Sequence, residues 1–339
     1  MSAKFWHDKK VLVTGGAGFI GSHLSETLVG LGAQVRIVDN LGTRGRMENI
    51  KSIAKCVEFI KGDLTLAETA RAACKDMEVV FHLASKVGGI GYYMNRPAEV
   101  YATNVLMDIQ VFTAARAAQA KRFCFTSSSH VYPGRLQRTE DSAPLREEDA
   151  YPADPVISFG LGKLVTEKLI QYQNAEGNEM HTSILRVVGA YGERQDFGLE
   201  TGSVIPVLCR RAAEFPKRSP FTMLGQGKET RSYCYVGDIV DGMIQSIQVL
   251  DQNKEVGPLN LGNEGRVTIN EIAQMVIEAS GKKIEISKLP AKESGIRGQA
   301  VDITHTQQVL KDWRPRVSLR DGILRTYRDI ETRLSNGEQ

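Results

Sequence analysis

The chain has 339 residues, of which 42% are hydrophobic and 24% are charged, and its formal net charge at pH 7 is +3. This composition is typical of a globular α/β protein with a sizeable core, and the small charge gives no support for nucleic-acid binding. No stretch approaches a membrane span and no signal core opens the chain, so we expect a cytoplasmic protein without a membrane partner. The five cysteines lack CxxC spacing, which predicts reduced thiols and no metal site.

Strands and helices alternate along the first half of the chain. The apolar strand Val11–Val13 precedes a glycine-rich loop and a helix that begins near Gly18. Later patterns predict strands at 34–38, 57–60, 79–84, 122–126 and 183–187, and helices at 97–120 and 159–176. This order predicts an α/β fold, with a doubly wound parallel Rossmann sheet at 1–185. Residues 186–339 have shorter elements, which predict a smaller C-terminal α/β substrate lobe, with some segments that return to the first domain.

The loop between the first strand and the first helix, residues 14–21, has the sequence TGGAGFIG. Glycines at this spacing let the backbone approach a phosphate, and the helix then directs N–H groups and its positive dipole end at the anion. Asp39 ends the second strand, where a carboxylate can bind both hydroxyls of an adenine ribose. We therefore predict a dinucleotide site that prefers NAD, because Asp39 would repel a 2′-phosphate. Arg36 and Arg44 lie nearby and could weaken that preference.

The strand at 122–126 runs into a serine-rich segment, residues 127–133 (SSSHVYP), at the edge where the parallel strands end. Open parallel sheets bind ligands at this edge. Further motifs occur in order: the glycine loop, Asp39, Gly62-Asp63-Leu64, His82-Leu83-Ala84, Asn104, the serine run, Lys163 and Arg231. Together they resemble the extended short-chain dehydrogenase/reductase family, the NAD-dependent nucleotide-sugar epimerases and dehydratases. The resemblance covers nearly the whole chain and implies NAD as cofactor and a nucleotide sugar as substrate.

The resemblance also implies which residues contact each ligand. Cofactor contacts are expected from Gly15, Gly18, Phe19, Ile20, Gly21, Asp39, Asn40, Asp63, Leu64, Leu83, Ala84, Lys86, Asn104 and Lys163. Substrate contacts are expected from Gly88, Gly89, Ser128, Ser129, His130, Arg231 and Arg297. The two arginines suit bidentate binding of the phosphates, although a surface ion pair is the alternative for either. For Asn104 we also expect a structural role at the catalytic site, and an amide on the helix surface is the alternative.

The reaction of this family uses a tyrosine four residues before the lysine. The lysine lowers the pKa of the phenol, which takes a proton from a sugar hydroxyl while hydride leaves for NAD, and a serine holds the same oxygen. Ser128 and Lys163 match these roles, but Phe159 stands at the tyrosine position and carries no proton. We predict His130 as the substitute base, because histidine titrates near neutral pH. A solvent-facing loop histidine is the alternative.

Phe159 has three possible explanations, which the sequence leaves open. The chain is a Tyr→Phe variant made to stall turnover, a natural enzyme whose proton is handled by another group, or a binding protein that has lost catalysis. Tyr132 and Tyr151 are weaker candidates for the proton, and packing or a substrate wall explains each of them better.

Three segments resemble the GDP-mannose 3,5-epimerase branch: residues 86–91, 149–155 and 295–298. They favour a GDP-sugar over a UDP- or dTDP-sugar, and an epimerisation through a transient 4-keto sugar. However, His130 and Gly198 stand where this branch has a cysteine and a lysine, so the double epimerisation is not carried over. Ser129 and His130 also replace the Asp-Glu pair of the dehydratases. The alternatives are a 4-oxidase, a dehydratase with other acid and base groups, or a non-catalytic nucleotide-sugar-binding protein.

The resemblance implies a homodimer, formed by the helix after Pro97 and the helix that contains Lys163. The apolar residues that could form such a bundle are Val105, Leu106, Met107, Ile109, Leu164, Val165, Leu169 and Ile170. An intramolecular core explains many of them equally well.

Overall fold

The computed structural model describes residues 3–42, 45–177, 179–217, 220–290 and 296–338, without the side chains of Ala3 and Ile90. Arg44 and Gly295 therefore lie outside the described residues. The strands are β1 (Lys10–Thr14), β2 (Gln34–Asp39), β3 (Val57–Lys61), β4 (Val79–His82), β5 (Arg122–Ser128), β6 (His181–Val187), β7 (Ala190–Tyr191), β8 (Thr222–Leu224), β9 (Thr230–Arg231), β10 (Cys234–Tyr235), β11 (Glu255–Leu261), β12 (Val267–Thr268), β13 (Ser287–Leu289) and β14 (Gly298–Gln299). The helices are α1 (Ala3–Trp6), α2 (Phe19–Gly30), α3 (Ala67–Cys74), α4 (Ile90–Asn95), α5 (Pro97–Ala117), α6 (Ser158–Ala175), α7 (Val204–Glu214), α8 (Val236–Gln248), α9 (Ile269–Ser280), α10 (Thr304–Val309) and α11 (Leu319–Ser335).

One parallel sheet organises the first half of the chain. Within the described ranges its seven strands lie in the order β11-β6-β5-β4-β1-β2-β3. Apolar side chains of β1 point to both faces, where α2 and α8 cover one side and α3, α5 and α6 cover the other. Strands that are buried on both faces are mostly apolar, and β4 is buried along its whole length. The predicted doubly wound α/β fold is confirmed.

Two predicted boundaries shift. The helix expected at 97–120 ends at Ala117, because Gln119 adopts a positive φ of 57° and turns the chain toward β5. The predicted domain boundary after residue 185 falls inside β6, because Arg186 and Val187 still pair with Ser127 and Ser128 of β5. In addition, β11 brings the second half of the chain back to the sheet, where it pairs with β6.

The remaining elements of the second half pack around a separate apolar cluster. Helices α7, α9 and α11 contribute to it, together with buried aromatic residues such as Phe197 and Phe221. Short strands pair as β7 with β10, β8 with β13, and β9 between β12 and β14. Among the described helices, none combines the length and the apolar character needed to cross a lipid bilayer.

The order of the sheet determines where a ligand can bind. From β1 the chain proceeds to β2 on one side, and β4 lies on the other side, so the connections diverge between β1 and β4. The two strands are in register, with Thr14 opposite His82 at their carboxyl ends. A crevice at such a switch point is the usual ligand site of open α/β sheets. The glycine loop, the 83–89 loop and the serine run all leave the sheet at this edge.

Candidate active site

The glycine loop is packed so closely that side chains would not fit. Gly15 has a φ of +67°, and a Cβ added to it would lie 2.9 Å from Cα of Ala84. A Cβ on Gly21 would lie 2.2 Å from the carbonyl oxygen of Gly15. Helix α2 begins after Gly18 without a side-chain cap, so the first N–H groups of the helix, at Phe19 and Ile20, have no intrahelical acceptor. The loop thus presents an open helix N-terminus to an anion.

Asp39 ends β2 beside this loop and is held by backbone N–H groups. Its Oδ2 accepts from the N–H of Ala17 at 3.1 Å, and its Oδ1 accepts from the N–H of Leu41 at 2.9 Å. Burial raises the pKa of the carboxyl, against the opposing effect of these two hydrogen bonds. The neighbouring Asn40 is exposed, and its Oδ1 accepts from the N–H of Gly42. The carboxylate is therefore rigidly placed at the position expected of a ribose ligand.

The structure corrects the expectation that Arg36 competes with Asp39. The Nε atom of Arg36 donates to Glu58 at 2.7 Å, and Nη1 donates to the carbonyls of Ala73 and Lys75. These bonds tie β2 to β3 and to the end of α3. Because the guanidinium is engaged there, Arg36 does not offer its charge to a ribose phosphate.

The structure excludes the surface-amide alternative for Asn104 and agrees with a structural role at the site. Its Oδ1 accepts from the Ser85 hydroxyl and the Lys86 N–H, and its Nδ2 donates to the carbonyls of Lys86 and Val100. The residue is fully buried, so it is not a surface amide. All four hydrogen-bonding positions of the amide are used, which leaves none for NAD. Asn104 instead shapes the loop after β4.

The other predicted cofactor residues line the same edge. The N–H groups of Leu83 and Ala84 donate to Oγ1 of Thr14, each at 3.1 Å. The Lys86 ammonium pairs with Glu99, partly exposed to solvent. Asp63 is exposed and its Oδ1 accepts from the N–H and hydroxyl of Thr65, whereas the following Leu64 is buried.

The reaction side of the crevice is formed by the serine run and the start of α6. Oγ of Ser128 accepts from the N–H of His130 at 3.2 Å, so its own proton is available to another acceptor. Gly160 lies directly against this turn, since a Cβ there would be 1.9 Å from the carbonyl oxygen of His130. The adjacent Phe159 is 5% exposed, and its ring is 6.1 Å from that of His130. The ring of Tyr93 stacks on Phe159 at 5.1 Å.

The pKa of His130 differs from the value expected from the sequence. Burial, and then the positive charge of Arg231, lower its pKa to about 4. This lowered pKa differs from the near-neutral value expected from the sequence, and the side chain is only partly exposed to solvent. Its Nδ1 atom is buried and has no hydrogen-bond partner among the residues that the structure describes. At neutral pH the imidazole is uncharged and can accept a proton.

Lys163 lies behind the ring of Phe159. It is 2% exposed, and its Nζ atom is 3.4 Å from both carboxylate oxygens of Asp108. Sequence reasoning missed Asp108, although a signal was present. Asp108 follows Asn104 by four residues and so lies on the same buried face of α5 as Val100 and Val111. A carboxylate on an otherwise buried face requires a partner.

Arg231 and Arg297 both have partners within the protein. The guanidinium of Arg231 donates to the carbonyls of Thr230, Ile296 and Arg297. Arg297 forms an ion pair with Glu140, in which both side chains are more than a third exposed. Such exposed pairs contribute little stability, so an incoming phosphate could displace Glu140 at small cost.

The other predicted substrate residues lie near these groups or adjoin the crevice. The hydroxyl of Ser129 donates to Oε1 of Gln299 at 3.4 Å. A Cβ on Gly89 would lie 3.2 Å from the carbonyl oxygen of Gly202, so the loop of Gly88 and Gly89 borders the segment after β7.

The two alternative tyrosines are placed away from this cluster. Tyr132 is fully buried, and its hydroxyl donates to Oδ1 of Asn260 at 2.5 Å and accepts from Arg186. Tyr151 is 41% exposed, with the ammonium of Lys168 over its ring. Tyr132 is thus a core residue, whereas Tyr93, which sequence reasoning did not single out, is the tyrosine in contact with Phe159.

Comparison with known proteins agrees with this geometry. The model of the NAD dependent epimerase/dehydratase family matches residues 11–262. The chain belongs to this family. The protein is therefore an enzyme, and its cofactor is NAD. No group of three or more histidine, cysteine, aspartate or glutamate side chains in the described residues could hold a metal ion.

Two curated relatives from Arabidopsis thaliana span most of the chain. UDP-glucuronic acid decarboxylase 1 is 31% identical over 337 residues, which cover 97% of this chain and 72% of the relative. GDP-mannose 3,5-epimerase is 30% identical over 329 residues, which cover 96% of this chain and 83% of the relative. The crystal structure of Thermus thermophilus UDP-glucose 4-epimerase in complex with NAD matches with a TM-score of 0.81 at 26% identity, and the match covers 94% of this chain and 98% of that one.

The residues present fit the cofactor of the family. A glycine with positive φ, an uncapped helix N-terminus and a buried carboxylate at the end of β2 occur together. The helix start suits the pyrophosphate, and Asp39 suits the ribose hydroxyls. NAD, when bound, supplies an acceptor for hydride.

Replacement of Gly21 by alanine tests this cofactor site. The added Cβ would collide with the Gly15 carbonyl, so the phosphate loop must move, at a cost of about 1–3 kcal/mol. We expect the affinity for NAD, measured by titration calorimetry, to fall about tenfold or more. Gly30→Ala is the matched control on the same helix, because its Cβ would meet nothing within 4 Å. Equal NAD affinity in both variants would contradict the assignment.

Proposed function

We propose that this enzyme is an NAD-dependent epimerase of a nucleotide sugar, with a GDP-sugar as the favoured substrate, and that it acts through a transient 4-keto sugar. The observation that carries the proposal is the uncharged, partly buried imidazole of His130, whose buried Nδ1 lacks a partner among the described residues. It lies against Phe159, beside Ser128. The site therefore holds a proton acceptor although residue 159 offers none.

In the proposed reaction, His130 takes the proton of the sugar hydroxyl at carbon 4, and NAD, when bound, would supply the acceptor for the hydride of the same carbon. Ser128 donates its free proton to the reacting oxygen and so fixes its position. The resulting ketone acidifies the hydrogens on the neighbouring carbons. Because His130 already holds the hydroxyl proton, the carbon-bound proton would leave to water on one face and a proton from water would return on the opposite face, which inverts the configuration. Return of hydride to carbon 4 and of the proton to its oxygen restores the alcohol. No net oxidant is consumed.

Arg231 and Arg297 are the proposed phosphate ligands. Arg231 lies on β9, and Arg297 lies directly before β14. Arg231 is close enough to His130 to lower the pKa of the imidazole. A diphosphate there would oppose the charge of Arg231 and make protonation of His130 easier. The preference for GDP rests on the sequence resemblance of segments 86–91, 149–155 and 295–298. Of the two relatives, one is named for a UDP-sugar and the other for a GDP-sugar.

Exchange of solvent deuterium into GDP-mannose tests the proposal. The purified enzyme is incubated with NAD and GDP-mannose in D₂O, and the recovered nucleotide sugar is weighed by mass spectrometry. We expect uptake by the unchanged protein and a loss of about 100-fold or more in His130→Gln, because the proton acceptor is removed. His7→Gln is the control, since the His7 side chain is exposed and pairs with Asp8.

The other outcomes separate the alternatives. Uptake only after Phe159→Tyr would show that the chain is a disabled form of a tyrosine-dependent enzyme. Accumulated NADH would favour a 4-oxidase, and a product lighter by one water would favour a dehydratase. Binding of GDP-mannose without uptake in either protein would indicate a non-catalytic protein.

The pH dependence provides an independent check on His130. The reactive form is the neutral imidazole, so kcat/KM should fall as the pH drops through about 4, the pKa in the free enzyme. In the substrate complex the diphosphate offsets Arg231, so the acid limb of kcat should lie at a higher pH. Identical acid limbs in both profiles, or an unchanged limb in a residually active His130→Gln variant, would contradict the role of His130.

We also infer a cytoplasmic homodimer. Leu106, Ile109, Leu161 and Val165 of the packed helices α5 and α6 are 39–45% exposed, which supports an apolar interface. Other residues expected there, Met107, Leu164 and Ile170, are buried in the protomer instead. The five cysteines are free thiols, in agreement with a reducing compartment.

Leu106→Glu tests the dimer. A charge introduced into an apolar interface loses its water, so we expect the molar mass from light scattering to fall from the dimer to the monomer value. Leu66→Glu, at an exposed leucine outside both helices, should leave the dimer intact. A monomeric parent protein would refute the inference.

A further inference from the structure

A buried carboxylate accompanies the lysine of the active site. Nζ of Lys163 lies 3.4 Å from Oδ1 and 3.4 Å from Oδ2 of Asp108, and both side chains are almost completely excluded from solvent. The ammonium also lies 4.6 Å from the ring centroid of Phe125 and 5.8 Å from that of Phe159. The charge of Lys163 thus has a buried partner within the protein.

Asp108 is in turn fixed by two neutral donors. Nε2 of His82 is 2.9 Å from Oδ1 of Asp108, and the hydroxyl of Thr166 donates to Oδ2 at 3.1 Å. On the other side of the imidazole, Oγ1 of Thr14 is 2.8 Å from Nδ1 of His82. Because Thr14 already accepts from the N–H groups after β4, its proton points to His82. His82 therefore accepts at Nδ1 and donates at Nε2.

The electrostatics agree with this direction of hydrogen bonds. Burial is the largest influence on His82 and lowers its pKa, so the ring is neutral. Burial also disfavours the ionised form of Asp108, but the charge of Lys163 and the bonds from His82 and Thr166 outweigh it and lower the pKa of the carboxyl. The pair consists of one carboxylate and one ammonium, with no excess charge.

We propose that Asp108 is a positioning residue that serves as the permanent counterion of Lys163. It balances the charge of the ammonium that a tyrosinate at position 159 would otherwise balance. A buried ammonium requires an opposite charge. With Asp108 present, that requirement is met without an ionisable group at position 159. Phe159 and Asp108 then form one consistent arrangement, in which Lys163 donates hydrogen bonds from a fixed position and the proton is handled elsewhere.

This inference rests on the proposed function only in that residue 159 faces the reacting sugar, and its test does not depend on turnover. A phenol introduced by Phe159→Tyr should experience little net attraction from Lys163, because Asp108 already balances that charge. Removal of the Asp108 charge should stabilise the tyrosinate. The titratable groups around position 159 are Lys163, Asp108, His130, Arg231 and Tyr93. Phe159→Tyr proteins with and without the Asp108 charge share all of these groups except Asp108.

The experiment is a titration of the new phenol, followed by the ultraviolet difference spectrum of each variant against its parent with Phe159. We expect the phenol pKa in Phe159→Tyr/Asp108→Asn to lie at least about one unit below that in Phe159→Tyr alone, a tenfold change in the tyrosinate ratio. Phe159→Tyr/Thr166→Val is the matched control. It removes one hydrogen bond to Asp108 but keeps the charge, so the phenol should titrate within about half a unit of Phe159→Tyr.

Equal phenol pKa values with and without the Asp108 charge would overturn the proposal, even if deuterium exchange proceeds as expected. Conversely, a shifted phenol in a protein that exchanges no deuterium would support the counterion and reject the proposed reaction. If Asp108→Asn does not fold, carboxyl NMR of the unchanged protein replaces it. Asp108 should then remain ionised below its ordinary pKa of about 4, and a carboxyl that titrates above that value would overturn the proposal.

Discussion

A chain of buried hydrogen bonds joins the phosphate end of the crevice to its reaction end. Thr14 is the first residue of the glycine loop, and its hydroxyl contacts both the N–H groups after β4 and His82. His82 in turn bonds to Asp108, which pairs with Lys163. Thr14 is opposite His82 in the paired strands β1 and β4, so neither end can shift without breaking the chain. An unpaired buried group costs about 1–3 kcal/mol, which is a large fraction of the stability of a domain.

The charges of the site are arranged for an anionic substrate. Lys163 is balanced by Asp108 within the protein, whereas Arg231 donates to carbonyl oxygens and retains a positive charge in the crevice. That charge, together with burial, keeps His130 neutral while the site awaits its substrate. A sugar diphosphate would bind the positive charge of Arg231, and this binding would raise the pKa of His130. Substrate binding and proton transfer would thus be coupled through Arg231.

Local patterns were sufficient to predict the close packing of the glycine loop and the position of Asp39 at the end of β2. The glycine loop requires a positive φ and close contacts, which glycine residues indicate in the sequence. An acidic residue at the end of β2 is typical of a ribose ligand in this fold. The hydrogen-bond partners of Arg36 and Asn104 and the lowered pKa of His130 could not be predicted from the sequence, because each depends on neighbours that are distant in the chain. Arg36 bonds to β3 and the end of α3, Asn104 to the loop after β4, and His130 is affected by Arg231 from the second half. Such contacts follow only from the assembled fold.

The most direct measurement of the central claim is a crystal structure of the enzyme with NAD and the nucleotide sugar that supports deuterium exchange. The proposal requires the hydroxyl at carbon 4 to lie within hydrogen-bonding distance of both Ser128 Oγ and the imidazole of His130, with Phe159 as an apolar wall. The diphosphate should contact Arg231. A sugar whose carbon 4 hydroxyl faces Phe159 and Lys163 without contact to His130 would contradict it.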